Sequence, residues 1–405
     1  ELGGYFMELG GWERAHGYAA NEHLLEKYGD RVPVRENEWD NRHFWRVSNA
    51  EHLALSEDCG IINLSHFYMF EVAGPDHVEL LEWLCAAKIG GDGNIGKGIY
   101  THFLDDEGMV RADLTVFRMA DRCRIVDGAD AGPRDFHYVK RVAQDKGFDV
   151  TVTDVSEHYT TIGIWGPNAR EKLKQAVADP AGLEQDAFPF AAIREIGIAG
   201  RKVMALRLSY VGEQGWELHM RYEDGLAVWD ALRSTGVMAF GVETYANSRR
   251  MEKSLRLQNA DLLTQYNLIE ADLARPKVKE ADFRGKDKHL EYKAREHQPA
   301  MLCTLVMTDN TDKDGVARYP VGNCPIVDPK TNEVLIDSQG RRSSTTSIAF
   351  GPSIGKNIAL GYLPHEYCEE GRTLEIEYFN QKFPIEVAAV GYTPLYDPKN
   401  ERPKS

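Results

Sequence analysis

The apolar positions of this chain follow two spacings in a fixed order, and the order occurs twice. In "FEVAGPDHVELLEWL" alternating apolar residues predict a strand, a Gly-Pro turn follows, and Leu80, Leu81 and Leu84 then recur at helical spacing. The stretch "IGIWGPNAREKLKQAV" repeats this order, with Gly166 in the place of Gly74. Each copy therefore predicts a strand, a turn and a helix.

A second pair of similar stretches follows at almost the same offset. They are "LTVFRMADRCRIVDGADAGPRDFHYVKRVAQDKG" and "LRLSYVGEQGWELHMRYEDGLAVWDALRSTG", and each predicts a strand, a turn, a strand and a helix. Two copies of a strand-helix-strand-strand-helix unit predict an α+β fold, in which duplicated ferredoxin-like modules form one body over residues 51–275.

The pattern changes beyond about Pro299. Short alternating stretches such as "AMLCTLVM" and "TLEIEYFNQKFPIEVAAV" predict strands separated by turns, and helical spacing is nearly absent. We therefore predict a C-terminal all-β, barrel-like domain over 299–405. The polar and basic segment 276–298 is the predicted linker, and the aromatic-rich residues 1–50 form a predicted N-terminal extension.

Two short motifs, one typical of phosphate binding and one typical of a catalytic serine, lack the flanking secondary structure that each requires. The stretch "GGDGNIGKG" satisfies G-x-G-x-x-G, and it satisfies the P-loop except that Gly98 replaces the final Ser or Thr. Both motifs need a strand before and a helix after, whereas here a helix precedes and "IYTHFL" reads as a strand. The stretch "GPSIG" matches the nucleophile elbow, but the strand-like "NIALGYL" follows it. We predict a connection and a turn at these places.

Composition narrows the classes of protein. The 405 residues are 42% hydrophobic, enough for a substantial core. No run is long enough to span a membrane and no signal peptide opens the chain, so a cytoplasmic location is expected, although the first residue is not Met. The net charge of -15 argues against binding to nucleic acid or to an anionic membrane, and an anionic small molecule would need a local basic patch. Six cysteines without C-x-x-C spacing predict reduced, mostly buried thiols.

Two carboxylates interrupt predicted strands. In "MVRADLTVF" the apolar face includes Ala112 and Leu114, so Asp113 lies on the opposite face. In "GWELHM" the apolar face includes Trp216, and Glu217 lies opposite. A solvated outer face would explain both acids. Their places on strands of the two halves of a duplicated body favour instead a ligand-binding cleft between the halves.

Several landmarks occur in an order typical of one family. The runs "YTHFLDDEGMVRADLTVFRM", "WGPNAREKL", "RLSYVGEQGWELHM", "SRRMEKSLR" and "SIGKNIALGYLPHEY" resemble those of the glycine cleavage T-protein (aminomethyltransferase) family over roughly residues 50 to 395. The chain resembles in particular the folate-binding portion of dimethylglycine and sarcosine dehydrogenases. The resemblance implies tetrahydrofolate as the cofactor, which accepts a one-carbon unit from a small-molecule donor.

The resemblance also implies roles for individual residues. Asp113 would be catalytic, beside the reactive folate nitrogens, where it takes up a proton or balances positive charge. Glu217 would accept two parallel hydrogen bonds from the pterin. Further cofactor contacts are expected from Tyr100, Tyr210 and Trp216.

Two departures from the family pattern change the expected function. The aspartate that precedes the catalytic one in glycine cleavage enzymes is Ala112 here, which argues against a role in glycine cleavage. The arginine that grips the folate tail would align with Ala246, so we expect another cation to bind the tail. The candidates are Arg249, which we take as a cofactor contact, and Arg250 and Lys356. Glu252 of the "R-x-E" landmark is expected to be structural.

The donor is inferred from what the chain lacks and from its aromatic residues. No dinucleotide fingerprint follows a strand, so if the 405 residues are the whole enzyme, the donor must arrive with a carbon that is already transferable. The donor types that fit are an aminomethyl group, a methylenedioxy acetal, a methoxy ether and a sulfonium methyl. The aromatic residues near the N-terminus either cap a core or line a pocket, and they favour an aromatic methoxy or methylenedioxy compound; they are Tyr5, Phe6, Trp12, Tyr18, Tyr28, Trp39, Phe44 and Trp45. The candidate proton donors for the leaving group are Tyr5, His16, Tyr18, His43, His66 and Tyr68.

Two alternative functions stay open. If the chain is a fragment, it would be the folate-binding half of a flavoprotein N-demethylase, acting with a flavin domain or partner. A non-catalytic folate-binding regulator is the other alternative. Asp113 argues against it, because binding alone needs no proton acceptor beside the reactive nitrogens.

Overall fold

The N-terminal segment folds into a hairpin and helices that pack on one another. A computed structural model describes residues 1–9, 11–35, 44–274 and 278–405, so Trp39 and His43 lie outside the described residues. The segment contains β1 (Gly4–Leu9), β2 (Trp12–Tyr18), α1 (Leu25–Tyr28) and α2 (Trp45–Glu57). Tyr28 packs against Leu53 of α2 in a small apolar cluster. Because α2 crosses residue 50, the predicted boundary there falls inside a helix.

The aromatic residues of this segment divide between the interior and the surface. Phe44 is buried and stacks on Tyr5, with ring centroids 5.7 Å apart. Trp45 is buried against Tyr319 of the C-terminal domain. Phe6 and Trp12 are exposed on the hairpin.

The first module is a ferredoxin-like unit with one added strand. Its strands lie in the order β5-β6-β7-β4-β8, and every neighbouring pair is antiparallel. Strand β5 is the edge strand added to the four strands of a ferredoxin-like unit. The elements are β4 (Tyr68–Ala73), α3 (His77–Leu84), β5 (Lys97–Leu104), β6 (Val110–Arg118), β7 (Arg122–Asp127), α4 (Gly132–Lys146) and β8 (Thr151–Asp154).

The second module repeats this architecture. Its sheet has the order β10-β11-β12-β9-β3-β13. The elements are β9 (Tyr159–Trp165), α5 (Ala169–Lys174), β10 (Ile193–Ile198), β11 (Arg201–Leu206), β12 (Gly215–Arg221), α6 (Gly225–Arg233) and β13 (Met238–Ala239), joined by β3 (Gly60–Asn63). The duplicated ferredoxin-like body predicted from the sequence is therefore confirmed.

One strand that precedes the first module joins the second sheet, and the two modules pack face to face. Strand β3 precedes the first module in sequence, yet it lies antiparallel to β9 in the second sheet. The helices cover one face of each sheet. The opposite faces meet, where Phe117 and Val126 of the first sheet pack with Leu206 of the second. The two sheets thus bury each other's outer faces.

A connecting segment leads from the second module to the C-terminal domain. It begins with a π-helical turn, Glu243–Arg249, and α7 (Arg250–Glu252). It continues through the predicted linker, which contains α8 (Lys286–Lys293). The Tyr292 hydroxyl donates to the Glu107 carbonyl at 2.7 Å, so the end of this helix is fixed to the first module.

The C-terminal domain is all-β, as predicted, and consists of one seven-stranded sheet. Its order is β16-β15-β19-β20-β14-β18-β17, and a bridge between Pro325, next to β15, and Ser344, next to β17, connects the two sides of the sheet. The two motifs in the wrong structural context form a connection and a turn, as predicted. The stretch Gly90 to Gly98 leads from α3 into β5, and Gly351 to Gly355 forms the turn from β17 to β18. The strands are β14 (Ala300–Met307), β15 (Ile326–Asp328), β16 (Glu333–Val334), β17 (Thr345–Gly351), β18 (Lys356–Pro364), β19 (Thr373–Tyr378) and β20 (Gln381–Val390).

Candidate functional site

Asp113 lies on β6, on the face that turns away from the helices of its module. Ala112 and Leu114 point into the helix-covered core, as the alternation predicted. The Asp113 side chain is only 13% exposed. Its backbone N–H donates to the Gln258 side-chain oxygen at 3.1 Å, so the connecting segment covers this part of the strand. A solvated outer face does not describe Asp113.

A histidine and a tyrosine surround the Asp113 carboxylate. The register of β5 and β6 places His102 opposite Asp113, with His102 Nε2 3.6 Å from Asp113 Oδ1. The same ring nitrogen lies 3.1 Å from the Tyr100 hydroxyl. Burial raises the pKa of Tyr100 well above its ordinary value, and the charge of Asp113 raises it further. The phenol therefore stays protonated and acts as a hydrogen-bond donor at neutral pH.

Glu217 lies on β12 in the second module and is 5% exposed. Its Oε2 lies 3.3 Å from His219 Nε2, and His219 Nδ1 lies 2.8 Å from the Thr161 hydroxyl. Burial lowers the pKa of His219 even though Glu217 opposes this, so the ring is neutral. Because a carboxylate only accepts hydrogen bonds, we assign the single ring proton to Nε2, donating to Glu217.

The other oxygen of Glu217 is available to a ligand. Oε1 has no hydrogen-bond partner among the residues that the structure describes. A buried carboxylate without full hydrogen bonding is costly, since its lost hydration is not replaced. The His219 ring meets Phe117 of the first module edge to face at 4.9 Å. Glu217 therefore offers an acceptor at the seam between the modules.

Two tyrosines lie between the carboxylates. The Tyr210 and Tyr245 rings are 5.1 Å apart, and the Tyr210 hydroxyl donates to the Arg256 carbonyl at 2.9 Å. Burial raises the pKa of Tyr245 well above its ordinary value, and the nearby charge of Glu217 adds to this. Burial also raises the pKa of Tyr210, to which the charges of Asp261 and Asp113 contribute.

These electrostatic links and contacts define one constellation, which we call the two-acid group. Tyr100 and Tyr210 remain partly exposed within it, whereas Tyr245 is buried. Acceptors at both ends and aromatic faces between them suit a flat, hydrogen-bonding ligand. The members are Asp113, His102, Tyr100, Tyr210, Tyr245, Glu217 and His219.

Two expected cofactor contacts lie elsewhere. Trp216 has no exposed surface and packs in the helix-covered core of the second module, because its side chain leaves β12 on the face opposite Glu217. Arg249 is also fully buried, where it forms an ion pair with Glu213 and donates to the Val211 carbonyl at 3.0 Å. Both side chains therefore lie in the protein interior, and neither is exposed to a ligand in this structure.

The remaining candidates for the folate tail and the structural acid are also placed. Arg250 is buried in an ion pair with Asp261, and Lys356 is exposed at the start of β18. Glu252 is buried, and its Oε1 accepts the Ser353 N–H at 2.8 Å, which supports a structural role.

Sequence reasoning missed several members of the two-acid group. His102 and His219 follow Tyr100 and Glu217 by two positions, so strand alternation could have placed them on the same faces. Tyr245 lies in the π-helical turn, and no local pattern connects it to β12.

Among the expected proton donors, His16 has the most suitable surroundings. Its Nδ1 lies 3.5 Å from Glu243 Oε2, its ring packs on Phe44 at 5.6 Å, and its Nε2 has no hydrogen-bond partner among the described residues. Glu243 belongs to the same π-helical turn as Tyr245.

The other described candidates are less suitable. The hydroxyl of Tyr5 donates to Glu22 and that of Tyr68 donates to Asp154. Burial raises the pKa of Tyr18 to about 12 and lowers that of His66 to about 3, so neither releases or carries a proton readily at neutral pH.

The serine of "GPSIG" does contact a histidine, but without the arrangement of a catalytic triad. Ser353 Oγ lies 2.8 Å from His52 Nε2. The Glu252 carboxylate lies 3.2 Å from that same nitrogen, whereas a triad needs the acid on the other ring nitrogen. This contact belongs to the buried network that joins α2 to the C-terminal domain.

Comparison with known families gives two matches that together cover most of the chain. The GCVT N-terminal domain model matches residues 1–277. The glycine cleavage T-protein C-terminal barrel domain model matches residues 319–397.

Individual relatives agree with these matches. The chain is 29% identical over 385 residues to dimethylglycine dehydrogenase of Rattus norvegicus, covering 93% of this chain and 41% of the relative. It is 30% identical to an aminomethyltransferase of Listeria welshimeri, covering 92% of this chain and 96% of the relative. The chain thus spans about two fifths of the dimethylglycine dehydrogenase that it matches.

A solved structure has the same fold. Aminomethyltransferase T of Bartonella henselae superposes with a TM-score of 0.74 at 22% identity, covering 97% of this chain and 95% of that one. Within the described residues, none of the helices combines the length and the apolar character needed to cross a membrane.

Proposed function

The chain belongs to the glycine cleavage T-protein family, and from this premise we propose that it is a tetrahydrofolate-dependent transferase of one-carbon units. The observation that carries the proposal is Glu217, a carboxylate that is 5% exposed and has one oxygen without a protein partner, at the seam of the two modules. Such a carboxylate is stabilised most by a ligand that supplies N–H donors.

The surroundings of Glu217 fit a reduced pterin. The edge of a pterin carries adjacent N–H groups, which match the paired oxygens of a carboxylate. The neutral His219 ring fixes the orientation of that carboxylate, because its Nε2–H donates to Oε2. Tyr100 and Tyr210 offer partly exposed aromatic surface between the acids. Glu217 would therefore orient the ring, and the tyrosines would pack against it and exclude water.

Asp113 is the group that we propose to handle the proton. Tetrahydrofolate, when bound, would supply a nucleophilic amine to accept the carbon, and a protein group would be needed to take up the proton that is released. Asp113, with His102 3.6 Å away and the Tyr100 hydroxyl beside it, can accept that proton. The low exposure of the carboxylate strengthens its interaction with positive charge that develops nearby.

For the donor we propose a small methyl- or methylene-bearing compound, in particular an aromatic methoxy or methylenedioxy compound. Its leaving oxygen would need a proton. His16 can hold one, since Glu243 lies 3.5 Å from Nδ1 and the opposite ring nitrogen is not used by the protein. The Phe44 ring beside His16 provides an apolar surface for such a donor.

A second candidate function is favoured by the comparison with dimethylglycine dehydrogenase. The match covers 93% of this chain but only 41% of that relative. It would then be the folate-binding portion of a flavoprotein N-demethylase, whose flavin unit oxidises an N-methyl amine before the carbon reaches the folate. The choice between the two candidates depends on whether the chain transfers carbon without an oxidising partner.

The proposed proton acceptor is tested by Asp113→Asn. We expect the turnover number for transfer to tetrahydrofolate to fall by about 100-fold or more, because the amide cannot take up the proton. The folate dissociation constant should change by less than about threefold. Single-turnover kinetics and a folate titration measure the two quantities.

Asp145→Asn is the matched control, because Asp145 is exposed on α4 and should leave both quantities unchanged. Wild-type turnover in Asp113→Asn would exclude Asp113 as the proton acceptor. Folate binding without transfer from any donor, in the wild type, would favour a binding protein.

The donor is tested by isotope labelling. The protein is mixed with tetrahydrofolate and with methoxy, methylenedioxy or N-methyl compounds that carry a labelled carbon. We expect label in the folate pool from an aromatic ether or acetal without added oxidant. Transfer only from N-methyl amines, and only with a flavoprotein oxidase present, would establish the second candidate function instead.

A further inference from the structure

A cavity lies away from the two-acid group, between α8, the segment that follows it and the C-terminal sheet. Its volume is about 670 Å³, within the usual range for small-molecule sites. Apolar side chains from the connecting segment and from strands β14 and β20 form part of its wall, namely Ile269, Met301 and Val390.

Two buried polar atoms in the lining residues have no partner in the described part of the chain. They are Nδ1 of His289 and Oε1 of Gln298, and the two residues are 3% and 8% exposed. The other end of the Gln298 amide donates to the Tyr292 carbonyl at 2.7 Å, which fixes its oxygen as the unpaired end. Buried polar atoms are nearly always hydrogen-bonded, so these two indicate a ligand or ordered water. Gln298 in particular requires a donor.

The lining of the cavity is slightly positive on an acidic protein. It carries four cations against three acids, whereas the whole chain carries a net charge of -15; the cations are Lys279, Lys286, Lys293 and Arg295, and the acids are Asp272, Glu280 and Glu296. Lys293 is exposed and forms no ion pair within the described residues. The positive charge of Lys293 lies close enough to His289 to lower the pKa of that imidazole, in addition to the larger effect of burial.

A flat aromatic wall forms one side of the cavity. The His297 and His365 rings stack at 3.9 Å with an interplanar angle of 20°. Both residues also line a neighbouring hollow of about 410 Å³, which includes Arg295 and Gln298. The residues that line both the cavity and the neighbouring hollow are Arg295, His297, Gln298 and His365.

We propose that this cavity binds an organic monocarboxylate whose apolar body carries an N–H or O–H group. Lys293 and Arg295 attract the carboxylate, Gln298 Oε1 accepts from the donor, and the wall of Met301 and Val390 contacts the apolar body. No residue of this site belongs to the two-acid group, so the proposal does not rest on the folate function.

The site has a built-in reporter of occupancy. Cys368 lines the cavity and is the one partly exposed cysteine, while the other five are buried. A ligand in the cavity should shield its thiol from an alkylating reagent. The rate of Cys368 alkylation, followed by mass spectrometry, therefore measures binding independently of enzymatic activity.

The test uses three probes on the full chain: N-acetylphenylalanine, its uncharged C-terminal amide, and 3-phenylpropanoate, which lacks the N–H. We expect the first probe to slow Cys368 alkylation and to bind by calorimetry. The amide should bind about tenfold more weakly because it lacks the charge, and 3-phenylpropanoate about fivefold more weakly because Gln298 stays unpaired.

Lys293→Glu should weaken binding of N-acetylphenylalanine by about tenfold, since it reverses a charge at the site. Lys330→Glu, an exposed lysine elsewhere in the C-terminal domain, is the matched control and should bind as the wild type does. Equal melting temperatures of the two variants would show that the fold is intact. Absence of binding at about 10 mM, equal affinity for acid and amide, or equal affinity of the two variants would overturn the proposal.

Discussion

Buried charge is the feature on which the site depends at the scale of single residues. Asp113 and Glu217 come from different modules, and the packing of the two sheets removes both from bulk water. Each has a histidine within 3.6 Å, His102 and His219. Carboxylates in such surroundings respond strongly to the addition of one hydrogen-bond donor.

Glu217→Gln tests the orienting role of this acid. The substitution removes the charge and turns one acceptor into a donor, so we expect the dissociation constant for tetrahydrofolate to rise by about 10- to 100-fold. Fluorescence titration measures the affinity. Glu195→Gln is the control, because Glu195 is exposed on β10 and should bind folate normally. Unchanged affinity in Glu217→Gln would exclude Glu217 as a folate ligand.

Glu51 makes the stability of the protein depend on pH. Burial raises the pKa of Glu51 to about 7, although Asn21 and the backbone N–H groups of Gly241 and Tyr18 donate to its carboxylate. In the unfolded chain the pKa of a glutamate is about 4.3. The folded state binds this proton more tightly than the unfolded chain does. The stabilisation is therefore complete below about pH 4.3 and is lost as the pH rises through about 7.

Glu51→Gln should therefore flatten the pH profile of thermal stability. We expect the wild-type melting temperature to fall more between about pH 5 and about pH 8 than that of the variant, which cannot ionise at this position. Glu79→Gln, an exposed site on α3, serves as the control and should keep the wild-type profile. Parallel profiles for wild type and Glu51→Gln would contradict the assignment.

The sequence singles out part of the two-acid group, for a reason that particular residues make clear. Asp113 and Glu217 could be found because each interrupts an alternating strand opposite an apolar face. Trp216 precedes Glu217 by one position, so its side chain points to the opposite face of β12 and packs in the helix-covered core, as the alternation predicted. Arg249 and Tyr245 depend on how the π-helical turn packs against distant strands, and local periodicity carries no such information.

At the scale of elements, the repeated strand, turn and helix depend on one glycine in each copy. Gly74 has φ +124° and Gly166 has φ +138°. A Cβ on Gly74 would meet the Asp149 carbonyl oxygen at 2.5 Å, and one on Gly166 would overlap the Asp58 carbonyl oxygen. The chain before β8 and the chain before β3 thus pass the two turns in the same way.

Gly166→Ala tests this requirement. We expect the melting temperature to fall by about 5 °C or more, because the new methyl group meets the backbone of Asp58 and Cys59 before β3, and because the φ value disfavours alanine. Gly93→Ala is the control, since a Cβ at Gly93 has open space and its φ is not positive; it should change the melting temperature by less than about 1 °C. Equal melting temperatures for the two variants would contradict the packing described at this turn.

The sequence predicted the duplicated unit and the β-rich C-terminal domain, but not how the strands are shared. Periodicity identifies a strand without identifying its neighbour. Strand β3 lies beside β9 in the position that β8 takes beside β4, although β3 is far from β9 in sequence. Edge strands β5 and β10 likewise join their sheets through hairpins that the minimal repeat did not require.

At the scale of the whole molecule, the two-acid group exists only because three parts of the chain meet. The first module supplies Asp113 and Tyr100, the second supplies Glu217 and Tyr210, and the connecting segment supplies Tyr245 and the Gln258 contact to Asp113. A ligand bound here would contact both modules, so its binding should stabilise their association.

The most direct test of this account is a crystal structure with a stable reduced folate, such as 5-formyltetrahydrofolate, soaked into the protein. We predict that the pterin lies at the seam between the modules, with its N–H edge on Glu217, its reactive nitrogens beside Asp113, and its ring against Tyr100 and Tyr210. A folate bound in the C-terminal domain, with neither carboxylate in contact with it, would contradict the central claim.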